Sequence, residues 1–103
     1  MYLYDMQQAA SLIVQFTSGR DLNAYLADIM LRSAVERQFE FIGEALAQLS
    51  RLDPALAARI TDHQAIIGFR NILIHGYAII DDERVWQAIE TNLPTLLREL
   101  DDL

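Results

Sequence analysis

The sequence predicts an all-α fold, an up-and-down bundle of four to five helices in a single domain over residues 1–103. Three observations carry that expectation. Between Asp28 and Leu49, the residues Val35, Phe39, Ile42, Leu46 and Leu49 recur at spacings of four, three, four and three, the period of a helix that packs along one seam. Helix-ending and helix-starting residues separate the apolar stretches, at Thr17-Ser18-Gly19, Asp53-Pro54 and Asp81-Asp82-Glu83. No alternating strand pattern competes. Only Ile72 to Ile80 holds enough β-branched residues to be ambiguous alone, and the helices on both sides decide it.

Taken in order, a first helix is expected from about Tyr2 to Phe16, with Met6, Ala10, Ile13 and Phe16 on one stripe. Gly19 ends it, because glycine tolerates the left-handed cap conformation. A short turn from Leu22 to Ala27 follows, with Asp21 as its cap. The long helix from Asp28 to Leu49 contains Gly43, which costs about 1 kcal/mol relative to alanine and is read as a close helix crossing. Its other face, with Arg32, Glu36, Arg37, Glu40 and Glu44, is expected to be solvated and laced by i,i+4 pairs. Asp53 and Pro54 supply an N-cap and a first helical residue for a short helix ending near Ile60. Thr61-Asp62 opens the segment from His63 to Tyr77, which Gly76 weakens or ends. In the last helix Val85, Ile89, Leu93, Leu96 and Leu100 line the inner face, and Pro94 should kink or split it near Asn92.

The 103 residues suffice for one domain with a modest core, so self-association is a natural further source of stability. Apolar residues at 52% exclude a disordered chain. No apolar run reaches the roughly 20 residues of a membrane span and no signal peptide is visible, which places the protein in the cytoplasm. Without cysteine there is no disulfide or thiolate chemistry. A net charge of −7 is the wrong sign for coating nucleic acid. All eight basic residues are arginine, so phosphate contacts fall to arginine, a backbone N–H or a charged histidine, at one local site.

One stretch concentrates polar chemistry: Phe69-Arg70-Asn71-Ile72-Leu73-Ile74-His75-Gly76-Tyr77. Asn71 and His75 are four apart and share a helix face, so the amide is placed to orient the imidazole. Arg70 and His75 are five apart, which on a regular helix separates them by about 140°. Three arrangements would bring both to one phosphate: the arginine curls round, the helix breaks near Gly76, or two chains contribute. Singly, each residue also has a structural explanation. Arg70 could pair with Asp62 or Glu44, His75 could be a hydrogen-bonded structural residue, and Tyr77 could sit at the core edge.

Arg70, His75 and Tyr77 in the spacing R-x4-H-x-Y resemble the signature of HepT-like proteins of the HEPN superfamily. Ile42-Gly43-Glu44-Ala45 resembles that family's I-G-E-A stretch. Val85-Trp86 and the Leu93-Pro94 pair resemble its last helix, so the likeness covers nearly the whole chain. The chain departs from the family at Asp62-His63-Gln64-Ala65, where members often carry a proline-tryptophan pair.

The resemblance implies a homodimeric, metal-independent endoribonuclease toxin of a type VII-like toxin–antitoxin module. Arg70 and His75 would be catalytic in a cleft between protomers, Asn71 and Glu44 supporting, with no metal and no cofactor. The partners implied are a second copy, an RNA substrate (tRNA or mRNA) and a nucleotidyltransferase antitoxin that transfers AMP to Tyr77. The alternative is a non-catalytic helical binding or regulatory subunit of a minimal nucleotidyltransferase, which the acidic composition favours.

Overall fold

A computed structural model of the protein describes residues 1–76 and 80–103, and among them there are helices and no strand. The helices are α1 (Tyr2–Thr17), α2 (Leu22–Ala27), α3 (Ile29–Leu52), α4 (Pro54–Ala57), α5 (His63–His75), α6 (Asp82–Gln87) and α7 (Leu93–Asp102). These are more segments than the four to five helices expected. The excess is small pieces: α2 and α4 are six and four residues long, and α6 continues into α7 through a π turn over Ala88–Asn92.

The 24-residue α3 is the pillar. Its predicted seam, Val35, Phe39, Ile42, Leu46 and Leu49, is buried throughout. Helix α1 packs along it, α5 lies against another side, α7 meets α1, and α2 bridges α3 and α6. In α1, Met6, Ala10 and Ile13 enter the core as expected, whereas Phe16 is half-buried and Thr17 takes the inner place. Its hydroxyl donates to the Ile13 carbonyl at 2.8 Å, so a polar residue is buried with its donor satisfied. The whole measures 39 × 30 × 19 Å, and the short dimension is two helix diameters.

The aspartate caps are real. The N–H groups of Ala24, Leu31 and Leu56 donate to Asp21, Asp28 and Asp53 at 2.8, 3.0 and 3.1 Å, and Asp81 accepts from Glu83 and Arg84. Asp62 starts α5 differently: its φ is 58°, in the left-handed region that aspartate tolerates, and its side chain accepts no cap bond.

Pro94 interrupts the last helix near Asn92, as expected, with a π turn between α6 and α7. Proline has no N–H and its ring crowds the carbonyl four residues back, here that of Glu90. The run answers with an extra residue in the preceding turn: Leu93 N–H donates to the Ala88 carbonyl, five residues back. All five inner-face residues of this run, Val85, Ile89, Leu93, Leu96 and Leu100, remain buried.

The polar face of α3 is less uniformly solvated than expected. Arg37 pairs with Glu40 at 3.5 Å on the surface, but Arg32 reaches Asp82 of α6 at 3.5 Å and the Leu26 carbonyl. Glu36 beside them is pushed above the usual carboxylate range by burial and then by the nearby Asp82 charge.

Candidate ribonuclease site

Helix α5 carries the site, and it is apolar by sequence yet has no fully buried residue. It packs along α3. The Phe69 ring meets Phe39 edge-on, with centroids 5.4 Å apart, and Leu73 and Ile66 pack beside it against the core. Ile72 and Ile74, on different sides of the helix, are 44% and 46% exposed. The helix stays regular through His75 and ends at Gly76, whose φ of 60° needs glycine and whose N–H donates to the Ile72 carbonyl at 3.0 Å.

Arg70 points back toward α3. One of its Nη groups donates to a carboxylate oxygen of Glu44, and the other donates to Asn71 Oδ1 at 2.7 Å. The ion pair is half-open, with side-chain exposures of 25% for Arg70 and 46% for Glu44. Arg70 Nε is buried and has no partner among the described residues. A guanidinium has five N–H donors, so donors remain on both Nη groups for a further anion.

Glu44 is itself held. Its Oε1 accepts from Gln48 Nε2 at 3.1 Å, one turn further along α3. The Gln48 amide and then the Arg70 charge keep its carboxyl below the usual range, so it stays an anion beside the guanidinium.

The structure thus brings Arg70, Asn71 and Glu44 together. The ion pair to Glu44 that the sequence allowed is present, and Asp62 plays no part in it. The Asn71 carbonyl oxygen, expected to serve the imidazole, accepts from Arg70. His75 is exposed on the last turn of the same helix. Because α5 does not break before His75, its ring leaves the axis about 140° round from Arg70. Tyr77, the expected acceptor of AMP, lies outside the described residues. Sequence reasoning missed Gln48, although its i,i+4 spacing from Glu44 was a usable signal. It also placed Gly43 at a crossing without finding what crosses there.

Beside α5 an open groove of about 980 Å³ separates it from the α6–α7 run. Phe39 and Ile42 form its floor, and Ile66, Phe69 and Ile72 face Ile80 and Leu96 across it. Among the described residues no group of histidines and carboxylates is arranged to hold a metal, and no helix is long and apolar enough to cross a membrane.

Comparison with known proteins identifies the family. The family model described as ribonuclease HepT-like matches residues 6–103. A candidate RNase of Methanocaldococcus jannaschii is 32% identical over 100 residues, covering 97% of this chain and 91% of that protein. A protein of Thermococcus cleftensis, named as a probable ribonuclease HepT, is 30% identical over 106 residues, covering 99% and 92%. A candidate RNase of Caldanaerobacter subterraneus is 24% identical over 102 residues, covering 99% and 90%. No solved structure matches the chain. With the family model spanning all but the first turn and two relatives aligned along nearly their whole length, the chain belongs to the HepT-like ribonuclease family.

Proposed function

We propose that this protein is a metal-independent endoribonuclease toxin whose site forms between two copies of the chain. The observation that carries the reading is the division of α5. Its inward side holds Arg70 in place through Glu44 and Asn71, while His75 leaves the helix on another side. A second chain's His75 placed opposite Arg70 would make one site from two halves.

The apolar surface supports self-association: Ile72 is exposed at the open groove and Ile74 is exposed elsewhere on the same helix, whose composition is that of a buried one. A twofold contact over this surface would bury it and bring both α5 helices together.

The chemistry follows from the groups. His75 of one chain takes the proton of a ribose 2′-hydroxyl, and the 2′-oxygen attacks the adjacent phosphorus. The bond to the 5′-oxygen breaks, and that oxygen leaves with a proton from water, giving a 2′,3′-cyclic phosphate and a 5′-hydroxyl. Arg70 of the other chain holds two phosphate oxygens as charge builds on them. The chain carries a net charge of −7, so binding rests on the site and not on bulk attraction.

Control belongs to a partner nucleotidyltransferase that moves AMP from ATP to the Tyr77 hydroxyl, releasing pyrophosphate. The adduct adds a phosphate two residues beyond His75, where it would repel the substrate's own. The alternative, a binding subunit without chemistry, is favoured by the acidic surface and by the carboxylate already on Arg70.

Incubation of the protein with total RNA and with tRNA in EDTA separates the two. Cleavage should persist in EDTA and fall about 10²- to 10⁴-fold in Arg70→Ala and in His75→Ala, the usual worth of a positioned acid–base or charge-stabilising group. Equal cleavage by wild type and both variants would exclude these residues, and loss in EDTA restored by a divalent metal would refute the mechanism. Mass spectrometry after treatment with partner and ATP should find AMP on Tyr77. A Tyr77→Phe variant silenced as fully as wild type would leave binding as the means of control.

A further inference from the structure

We infer that three residues of α3, namely Gly43, Glu44 and Gln48, form a built seat that fixes the Arg70 guanidinium, with Gly43 as a positioning residue. The inference deepens the reading of Arg70 as the phosphate-holding group and rests on it.

Gly43 lies in the middle of α3, fully helical and buried, so no turn or left-handed backbone asks for glycine there. What asks for it is Arg70. A Cβ at position 43 would collide with the Arg70 Cβ, come within 2.8 Å of its Cγ, and stand 3.3 Å from the Ile66 carbonyl oxygen. The arginine stem is therefore laid into the space of the missing side chain. Ile66 is one turn before Arg70 on α5, so its backbone gives little room to yield.

The next residue supplies the electrostatic half of the seat. Glu44 takes the guanidinium, Gln48 takes the other Glu44 oxygen, and Asn71 takes the remaining Nη group. Arg70 is thus fixed at its stem by shape and at its head by two acceptors, while its Nε is enclosed without a partner among the described residues. A loose surface arginine would satisfy that nitrogen in water. Enclosing it is a cost that only a fixed geometry explains, and a fixed guanidinium binds a phosphate without first losing rotamer freedom.

Nitrogen-15 NMR of the arginine side chains in the intact protein tests the seat directly. Arg70 is assigned by its loss in Arg70→Lys. In wild type its Nη resonances should be separate, because hydrogen bonds at both Nη groups hinder rotation. In Gly43→Ala and in Glu44→Gln they should merge, while the backbone amide spectrum stays that of the folded protein. RNA cleavage at saturating substrate should fall roughly 100-fold in Gly43→Ala, the scale expected when a catalytic group is displaced by about 1 Å. The effect should sit in kcat more than in KM. Should Gly43→Ala not fold, Glu44→Gln carries the test, since it keeps the side chain's shape and lies at the surface. Unmerged Arg70 signals in the folded variants, or merged signals already in wild type, would overturn the seat even if the rate falls. A wild type that does not cleave RNA would refute the ribonuclease reading instead, and the NMR comparison would still decide whether the seat exists.

Discussion

Helices α3 and α5 differ in a way their sequences do not announce. Each repeats aliphatic and aromatic residues, yet nine residues of α3 are buried and none of α5 is. The reason is what surrounds them. Helix α3 has neighbours on several sides, whereas among the described residues α5 packs chiefly on α3 and borders an open groove. One helix buries its apolar side chains in the fold of the chain, and the other packs Ile66, Ile67, Phe69 and Leu73 only partly against it and leaves Ile72 and Ile74 exposed.

The sharpest way to break that comparison is to cut equivalent apolar residues from each helix. Leu46→Ala in α3, at a fully buried position, should cost about 2–5 kcal/mol. Ile72→Asp in α5 should change monomer stability by no more than about 0.5 kcal/mol, the range of surface substitutions, while converting dimer to monomer. Urea unfolding with light scattering checks both. Equal destabilisation by the two would erase the distinction, and a dimer that survives Ile72→Asp would move the association surface elsewhere.

Much of this architecture was legible in the sequence. The seam of α3, the inner face of the last helix and the caps Asp21 and Asp53 all follow from local period and local hydrogen bonding, which a linear chain displays. One miss is local and the other is not. Thr17 replaces Phe16 inside because its hydroxyl finds a carbonyl of its own helix. The interruption expected from Pro94 near Asn92 is present, as a π turn over Ala88–Asn92 that leaves the inner-face residues on both sides buried. At the site, the R-x4-H-x-Y spacing pointed to Arg70 and His75. The link from Gly43 to Arg70 joins residues far apart in the chain, and no period encodes it.

A smaller effect sharpens the same contrast within the core. Tyr25 is fully buried against Trp86, and its hydroxyl has no partner among the described residues. Burial, and then the Glu36 and Asp82 charges, push its phenol upward. Tyr25→Phe keeps the ring and removes the unpaired group, so it should stabilise the fold by about 1 kcal/mol. A loss of that size on thermal unfolding would mean that the hydroxyl is satisfied.

The smallest effect concerns the start of α5. Thr61 donates through its N–H, at 2.9 Å, and its hydroxyl to Glu99 of α7, which holds that carboxyl below the usual range. A carboxyl lowered on folding stabilises above its unfolded pKa, and the contribution fades as pH falls through the lowered value. Thr61→Val should therefore flatten the acid limb of the stability–pH curve and leave little change in slope at neutral pH. An acid limb unchanged in Thr61→Val would show that the hydroxyl's bond to Glu99 contributes nothing.

The central claim is that α5 offers half of a site and a second copy supplies the rest. Mixing Arg70→Ala with His75→Ala, each inactive alone, tests it most directly. If one chain's arginine works with the other's histidine, half of the randomly re-formed dimers carry one intact site, and RNA cleavage should return to roughly a quarter of wild type. No recovery after subunit exchange, with mixed dimers verified by mass, would contradict a site shared between chains.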